Sequence, residues 1–284
     1  MDTIETDGIS RRRLLLGGAA CGVCALGGYG VGRLTSDRRR VAPRTAGTDE
    51  RTITKSARTA VQPDGIFRVR TTESIVALTL DDGPDPKYTP RVLDLLAEHR
   101  AKATFFLVGV NARAEPALVK RIVDEGHSIG NHTFNHLELE LLTAQQVKAE
   151  IDRGQTALIA AGAPRPRLFR PPKGYTDEVV GVLADAERYR TVFWDACVEH
   201  FVDHQAVPAG VEQMLARAAP GAIILAHDGG RIVGSGRAPL SRQRTMEALP
   251  LLLRGLSDLQ LQVVDVPGLL KRAGLPLLPK LAPG

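Results

Sequence analysis

Short apolar runs alternate with longer amphipathic stretches between residues 74 and 270 of this chain. The apolar runs predict strands over residues 75–80, 103–108, 127–130, 167–170, 190–194, 222–226 and 261–264. The amphipathic stretches predict helices over residues 89–99, 116–125, 144–160, 177–186, 209–218 and 242–256. Thr143, followed three residues later by Gln146, predicts a capping box at the start of the third helix.

The alternation of strands and helices predicts parallel strands that are joined by helical crossovers. Six to seven repeats of this unit lead us to expect an α/β fold, a distorted (β/α) barrel with six to seven parallel strands. Sequence alone separates such a barrel poorly from an open sheet. In both arrangements the loops after the carboxyl ends of the strands carry the chemistry.

The first 66 residues differ from the rest in composition. Residues 10–32 join three arginines to an apolar run that contains seven glycines, and this pattern resembles a twin-arginine export signal. A signal-anchor that stays in the membrane is the alternative, and cleavage of the segment stays open. We therefore expect an export signal or signal-anchor over residues 1–33, a flexible linker over 34–66, the main domain over 67–275 and a tail over 276–284. The protein is then exported, either secreted or tethered, with membrane contact only through its amino-terminal segment.

The formal net charge of +5 comes from this amino-terminal region. Residues 1–60 hold eleven Lys and Arg against six Asp and Glu, and the remaining residues hold 26 of each kind. A neutral domain argues against a nucleic-acid partner, since nucleic-acid binders carry a basic face on the domain itself. Three cysteines are too few for a disulfide framework, and Cys21 and Cys24 both lie in the amino-terminal segment. We expect the protein to be a monomer.

Ionisable residues follow four of the predicted strands, each at the carboxyl end of its strand. These segments read DDGP at residues 81–84, NHTFNH at 131–136, RPPKG at 170–174 and AHDGG at 226–230. Because the carboxyl ends of parallel strands meet at one edge of a sheet or barrel, we expect these side chains to lie close together.

Two imidazoles and a carboxylate make a candidate metal site. His132 and His136 are four residues apart, a spacing that puts both side chains on one face of a helical turn. One oxygen from Asp81 or Asp82 completes a His₂Asp set with an open position, which is typical of a catalytic site. A divalent cation neutralises one aspartate and helps keep the other ionised as a base. Strand alternation sends adjacent carboxylates to opposite faces, so the turn at Gly83-Pro84 has to bring them together.

In this order and at these strand ends, the motifs resemble those of the polysaccharide deacetylase family, the fourth family of carbohydrate esterases. The family's first motif, T-F/L-D-D-G-P, matches residues 79–84 in full, and its second, H-S/T-x-x-H, matches residues 132–136 in full. The third, R-P-P-Y-G, matches residues 170–174 except at Lys173, and the fifth, L-x-H, matches residues 225–227. The fourth, W-x-x-D-x-x-D-W, departs from the family, with Cys197 and His200 in place of the aspartates and Phe201 in place of the last tryptophan.

The resemblance implies a distorted (β/α) barrel with one divalent metal, which we expect to be zinc, with cobalt or another divalent ion as the alternative. It also assigns roles to individual positions of this chain. These are Asp82, His132 and His136 as metal ligands, Asp81 as general base, Arg170 as the residue that orients Asp81, His227 as general acid, the backbone N–H of Lys173 as an oxyanion donor, and Leu225, Phe201 and Trp194 as the lining of the substrate pocket.

The departure in the fourth motif leaves the partner of His227 open, because the family's last aspartate pairs with this histidine and raises its pKa. His200 cannot take that role while neutral, and it repels His227 if charged. Glu199 and Asp203 are the two candidate replacements. Lys173 adds a second open point: its cation either favours an anionic substrate or is simply solvated.

These expectations define an enzyme that hydrolyses N-acetyl groups on an aminosugar polymer with the help of a metal. Peptidoglycan is the favoured polymer because an exported enzyme meets it first, and chitin oligomers are a second choice. Two alternatives stay open. One is an O-acetyl xylan esterase of the same family, and the other is a non-catalytic glycan-binding module with a decayed site.

Overall fold

The computed structural model describes residues 65–278, and residues 1–64 and 279–284 lie outside it. The expected export signal falls entirely outside the described residues and stays a prediction. Within residues 65–278, no helix combines the length and the apolar character that crossing a bilayer requires.

A parallel sheet forms the centre of the domain. Its strands are β1 (Ile75–Asp81), β2 (Ala103–Leu107), β3 (Ser128–Asn131), β4 (Leu168–Phe169), β5 (Arg190–Thr191), β6 (Ala196–Cys197), β7 (Ile223–His227) and β8 (Gln262–Val264). Seven of them lie along one hydrogen-bonded path in the order β5-β4-β3-β2-β1-β7-β6. The eighth, β8, pairs with residues 75–77 of β1, and every strand pair is parallel.

Helices make the crossovers between these strands. They are α1 (Thr89–Glu98), α2 (Gly109–Ala114), α3 (Pro116–Asp124), α4 (Ala144–Ala160), α5 (Glu178–Ala186), α6 (Val198–Val202), α7 (Val207–Leu215), α8 (Gln243–Asp258) and α9 (Val266–Arg272). Two 3₁₀ turns, Leu139–Leu141 and Pro172–Gly174, lie in the loops after β3 and β4. The predicted capping box of α4 is confirmed, with Thr143 and Gln146 bonded reciprocally.

The predicted distorted (β/α) barrel is confirmed. Each of the seven predicted strands and six predicted helices corresponds to an element of the structure. The sequence pattern missed β6, α2, α6 and α9, which are only two to seven residues long. Elements of this length complete too few repeats of a strand or helix period to be recognised.

The two faces of β1 bury different kinds of residue, although all seven of its side chains are buried. Val76, Leu78 and Leu80 pack into the large core cluster beneath the surrounding helices. The opposite face points into the barrel and changes from apolar at its start, Ile75 and Ala77, to polar at its end. The last two residues on that inner face are Thr79 and Asp81. The polar carboxyl end of β1, with Thr79 and Asp81, is therefore the candidate location of a functional site.

The segment that precedes β1 spans the gap between two parts of the sheet. Ile66 forms a parallel bridge with Val192, just after β5, and Arg68 forms an antiparallel bridge with Ala222, just before β7. Ile66 therefore packs with the domain, although it lies at the end of the expected linker. These bridges give the curled sheet part of the closure that a regular barrel obtains from its own strands.

His127, just before β3, is a buried histidine away from the polar end of the barrel. Its Nδ1 accepts a hydrogen bond of 3.2 Å from the backbone N–H of Ala103, so this nitrogen is unprotonated in the folded state. Burial is the main reason that the pKa of His127 falls from 6.5 to about 4, and the charge of Lys102 adds to it. Between pH 6.5 and about 4, His127 is therefore protonated in the unfolded chain but not in the folded protein.

We expect this histidine to destabilise the protein as the pH falls from 6.5 toward about 4. In His127→Gln, the amide oxygen can still accept from Ala103 but does not titrate, so the variant should lose less Tm than the wild type across that pH range. Thermal unfolding followed by circular dichroism at a series of pH values measures this. His204→Gln is the matched control, because His204 is exposed. Equal acid sensitivity of His127→Gln and the wild type would contradict the prediction.

Candidate active site

The two adjacent aspartates meet at one point because the chain leaves strand geometry between them. Asp81 is the last residue of β1, and Asp82 has a φ of 73°, in the left-handed region. Asp is one of the few residues other than Gly that enter this region readily. His132 Nε2 then lies 3.7 Å from Asp81 Oδ2 and 3.6 Å from Asp82 Oδ1. The positive φ thus overcomes the strand alternation that would have separated the carboxylates.

His132 and His136 lie on a loop rather than on the helical turn that their spacing predicted, so that prediction was wrong. Thr133 and His136 have φ values of 68° and 55°, which exclude a right-handed helix there. The rings nevertheless meet edge to face, with centroids 5.0 Å apart. The loop is held by Asn131, whose Oδ1 accepts from the Thr133 N–H, and by Glu150 of α4, which accepts from the Asn135 backbone and side-chain N–H groups.

Asp82, His132 and His136 form a donor set that fits a divalent cation. Their three ligand atoms lie within 4.8 Å of one another, and Asp82 Oδ1 lies 3.1 Å from His136 Nε2. Among residues 65–278, the buried Asp82 Oδ1 has no hydrogen-bond partner. His132 Nδ1 donates to the Arg170 carbonyl at 2.7 Å, which leaves a lone pair on Nε2. Burial acts to raise the pKa of Asp82, but the two imidazoles outweigh it and hold that pKa well below its ordinary value.

Arg170, expected to orient Asp81, is completely buried and makes four hydrogen bonds. Its Nη1 donates to Asp81 Oδ1 at 2.7 Å and to Thr79 Oγ1 at 2.9 Å. Nε and Nη2 donate to the carbonyls of Val192 and Phe193. Because Oδ1 of Asp81 accepts from Arg170, Oδ2 is the oxygen that faces His132, 3.7 Å from its Nε2.

The partner of His227 is Glu199. Its Oε2 lies 3.1 Å from His227 Nδ1, and its Oε1 accepts from the His227 N–H at 3.1 Å and from Thr245 Oγ1 at 2.7 Å. Asp203, the other candidate, lies 3.9 Å from Arg244 instead. The register explains the choice: Cys197 pairs with Leu225 in the β6–β7 ladder, so the residue two positions later lies beside His227.

The Glu199–His227 pair keeps opposite charges together in a buried place. Burial acts to lower the pKa of His227, but the Glu199 carboxylate outweighs it and raises the net pKa above the ordinary value. Burial likewise opposes ionisation of Glu199, and His227 reverses this and lowers the pKa of Glu199 to about 2. The departure from the fourth motif therefore preserves an acidic partner for this histidine, supplied from a neighbouring position.

Arg242, at the start of α8, is a site residue that the sequence analysis missed. Its Nη2 donates to Asp82 Oδ2 at 2.8 Å, and its Nε donates to the Gly229 carbonyl at 2.7 Å. The guanidinium thus holds one oxygen of Asp82 and leaves the other, Oδ1, facing the histidines. No local pattern marks Arg242, because it reaches Asp82 from 160 residues away in the chain.

The residues expected around the substrate differ in where they lie. Leu225 shares a face of β7 with His227, and Trp194 packs against Gly174 with its ring 5.4 Å from the Arg170 guanidinium. Phe201 packs instead in the large core cluster outside the sheet. The contacts of Phe201 are therefore core contacts, and they do not support its expected place in the pocket.

Lys173, whose backbone N–H was expected to donate to the oxyanion, has a φ of 58° in the 3₁₀ turn after β4. Its ammonium group is paired with the carboxylate of Glu138. The Lys173 charge, for which attraction of an anionic substrate and simple solvation were both left open, is thus balanced by an acidic neighbour.

A G-x-S-x-G pattern at residues 126–130 invites comparison with serine hydrolases. Ser128 is, however, the first residue of β3, and its hydroxyl donates to Asp265. It therefore lies at the opposite end of the strand from the histidines. A nucleophile elbow requires a turn from a strand into a helix, so this serine does not have the geometry of a nucleophile.

Comparison with known proteins agrees with this geometry. A family profile described as polysaccharide deacetylase matches residues 68–192. A peptidoglycan-N-acetylglucosamine deacetylase of Bacillus cereus is 37% identical over 220 residues, covering 75% of this chain and 97% of that relative. A chitooligosaccharide deacetylase of Sinorhizobium fredii is 37% identical over 186 residues, covering 64% of this chain and 86% of that relative. A solved peptidoglycan N-acetylglucosamine deacetylase superposes with a TM-score of 0.65 at 30% identity, covering 73% of this chain and 92% of that one.

We expect Arg242 to support metal binding by orienting Asp82. Arg242→Lys keeps the charge but cannot reach both Gly229 and Asp82, and Arg242→Gln removes the charge as well. Both variants should bind zinc about tenfold more weakly, as is typical when an outer-shell partner is lost. Competition with a chromophoric chelator measures the dissociation constant.

The exposed Arg231, paired with Glu115 at 3.7 Å, supplies the matched control Arg231→Gln. If Arg242 acted only through its positive charge, Arg242→Gln would bind zinc more tightly and Arg242→Lys would equal the wild type. That pair of results would refute the orienting role.

Proposed function

This chain belongs to the polysaccharide deacetylase family, and we propose that it is a zinc-dependent enzyme that hydrolyses N-acetyl groups on peptidoglycan outside the cytoplasm. One observation carries the proposal: the Asp82, His132 and His136 ligand atoms converge within 4.8 Å, beside an aspartate held by Arg170 and near a histidine held by Glu199. The donor set of two imidazoles and one carboxylate supports zinc among the divalent ions.

Asp82, His132 and His136 would hold the cation, which supplies Lewis-acid polarisation of the acetyl carbonyl and activation of water. Asp81 takes the proton from the attacking water through Oδ2, since Arg170 occupies Oδ1. The water oxygen bonds to the carbonyl carbon, and the backbone N–H of Lys173 donates to the oxyanion.

His227 donates a proton to the departing nitrogen as the C–N bond breaks, so the products are acetate and a free amine. An amine is a poor leaving group unless it is protonated, which makes this proton essential. Glu199 keeps His227 protonated and oriented. Intact acid and base positions favour an enzyme over a glycan-binding module with a decayed site.

The substrate class rests on the relatives. The Bacillus cereus relative is a peptidoglycan-N-acetylglucosamine deacetylase, and the Sinorhizobium fredii relative is a chitooligosaccharide deacetylase. Peptidoglycan is our first choice because the amino-terminal segment resembles an export signal, and chitin oligomers are the second. A panel of muropeptides, N-acetylchitooligosaccharides and acetylated xylan, with acetate release as the measurement, separates these choices.

Removal of the metal should abolish acetate release, and added zinc or cobalt should restore it. Asp81→Asn should keep its zinc but lose about 10²–10⁴-fold in kcat, because it removes the base and not a ligand. His132→Ala should lose the zinc of the Asp82 site and its activity. Metal content by atomic emission, measured beside acetate release, distinguishes these outcomes.

The exposed carboxylate of Asp203 offers a matched control, since Asp203→Asn should leave both measurements unchanged. Full activity in excess chelator would rule out the metal mechanism. Loss of zinc in Asp81→Asn would instead indicate that Asp81 is itself a metal ligand.

The Glu199–His227 pair predicts a specific pH dependence. His227 must be protonated to act as an acid, so activity falls as the pH rises through its pKa, which Glu199 raises. Glu199→Gln should therefore move the alkaline limb of the kcat/KM profile down by about one to three pH units, the usual effect of one close opposite charge. Asp203→Asn should leave the limb in place, and an unmoved limb in Glu199→Gln would show that another group sets it.

A further inference from the structure

Three side chains that are not ligands of the Asp82 site form a second set of potential metal ligands. Cys197 Sγ, Glu199 Oε2 and His227 Nδ1 lie within 4.8 Å of one another. Glu199 Oε2 is the common neighbour, 3.4 Å from the sulfur and 3.1 Å from the ring nitrogen. A thiolate, a carboxylate and an imidazole together suit zinc and other thiophilic divalent ions.

The positions of these ligands are set by the sheet. Cys197 pairs with Leu225 in the β6–β7 ladder, and Glu199 and His227 each follow two residues later. Glu199 Oε1 is anchored by Thr245 Oγ1 and by the His227 N–H, so Oε2 is turned toward the sulfur and the ring. Side chains at strand ends that are locked in this way form a preorganised site.

One atom of the set lacks the hydrogen bond that its burial calls for. His227 Nδ1 is buried and lies 3.1 Å from Glu199 Oε2, yet no described atom forms a hydrogen bond with it. Ligand atoms on a tetrahedral zinc are separated by about 3.4 to 3.6 Å, given Zn–N and Zn–O bonds near 2.1 Å and Zn–S bonds near 2.3 Å. The observed separations from Oε2 are already close to these values, so small rotations bring the three atoms around one ion.

We propose that Cys197, Glu199 and His227 bind a second divalent cation, such as zinc in excess, and that this cation inhibits the enzyme. Binding releases two protons to solvent, the thiol proton of Cys197 and the proton on His227 Nδ1, and a sulfur–metal bond and a nitrogen–metal bond replace them. The inhibition rests on the proposed function. A cation bound to Nδ1 takes the place of the proton there and binds the Glu199 carboxylate, so His227 is no longer held as a charged acid. Binding of the ion does not rest on it.

The second site is filled after the first. The Cys197 thiol donates a hydrogen bond of 3.4 Å to Glu199 Oε2, so a cation must displace the thiol proton and break this bond. The Asp82 site contains no thiol, and its Asp82 Oδ1 has no hydrogen-bond partner among the described residues, so a cation breaks no such bond there. Excess cation is thus needed to inhibit.

Cobalt is the probe of choice, because a thiolate bound to cobalt gives a charge-transfer absorption that the Asp82 site cannot produce. The test uses the full chain with Cys21→Ser and Cys24→Ser, which leaves Cys197 as its one cysteine. We expect two equivalents of cobalt to bind, with the thiolate band growing mainly with the second. In His132→Ala, which disables the first site, the band should appear from the first equivalent.

Cys197→Ser is the decisive variant, because its hydroxyl can still bond to Glu199 but is a poor ligand for zinc. It should bind one equivalent of cobalt without the thiolate band and keep the basal rate at one equivalent of zinc. Its zinc inhibition constant should rise at least about tenfold. Loss of an outer-shell partner alone has an effect of this size, and Cys197 is proposed as a direct ligand.

Absence of the thiolate band in the parent and in His132→Ala would overturn the second site, whether or not the enzyme is active. A thiolate band with equal zinc inhibition in Cys197→Ser and the parent would overturn the inhibitory role. An inactive protein that still shows the band would overturn the proposed function and leave the second site standing.

Discussion

A single buried guanidinium ties the active centre together. The Arg170 side chain bonds Asp81 and Thr79 of β1, and it also bonds two carbonyls just after β5. The carbonyl of the same residue accepts from His132 Nδ1. The positions of the proposed base, Asp81, and of one proposed metal ligand, His132, therefore both depend on Arg170. A fully buried cation is tolerated because an anion and four hydrogen bonds compensate its lost hydration.

The rest of the site is arranged around this interaction by the inner face of the barrel. That face is apolar in its lower part, where Ile75, Ala77 and Phe106 pack together, and polar at the carboxyl ends of the strands. The charged side chains of the polar layer thus lie against an apolar core. The low dielectric constant of that core strengthens the attraction between opposite charges. Side chains from distant loops complete the layer: Glu150 of α4 fixes the histidine loop, and Arg242 of α8 fixes Asp82.

The Glu199–His227 pair shows how a histidine keeps an acidic partner although the motif around it has changed. The acidic partner has moved one position along the chain, and a glutamate has the longer side chain that lets it reach from there. The move leaves Cys197 beside the carboxylate, and this new neighbour is what makes the second ligand set. The changed fourth motif thus suggests a lost acidic partner in the sequence, whereas the structure shows Glu199 paired with His227 and the Cys197 thiol beside them.

Three features could be predicted from the order of residues alone: the strand–helix alternation, the capping box of α4 and the grouping of ionisable residues at the strand ends. These features depend on local periodicity and on the shared direction of parallel strands, both of which can be read along the chain. Three other features could be seen only in the folded protein. A loop and not a helix carries His132 and His136. Glu199, and not Asp203, contacts His227, and Arg242 contacts Asp82. Each of these depends on distances between residues from different crossovers or on a backbone angle in one loop. Such quantities arise when the barrel closes, and no short stretch of sequence contains them.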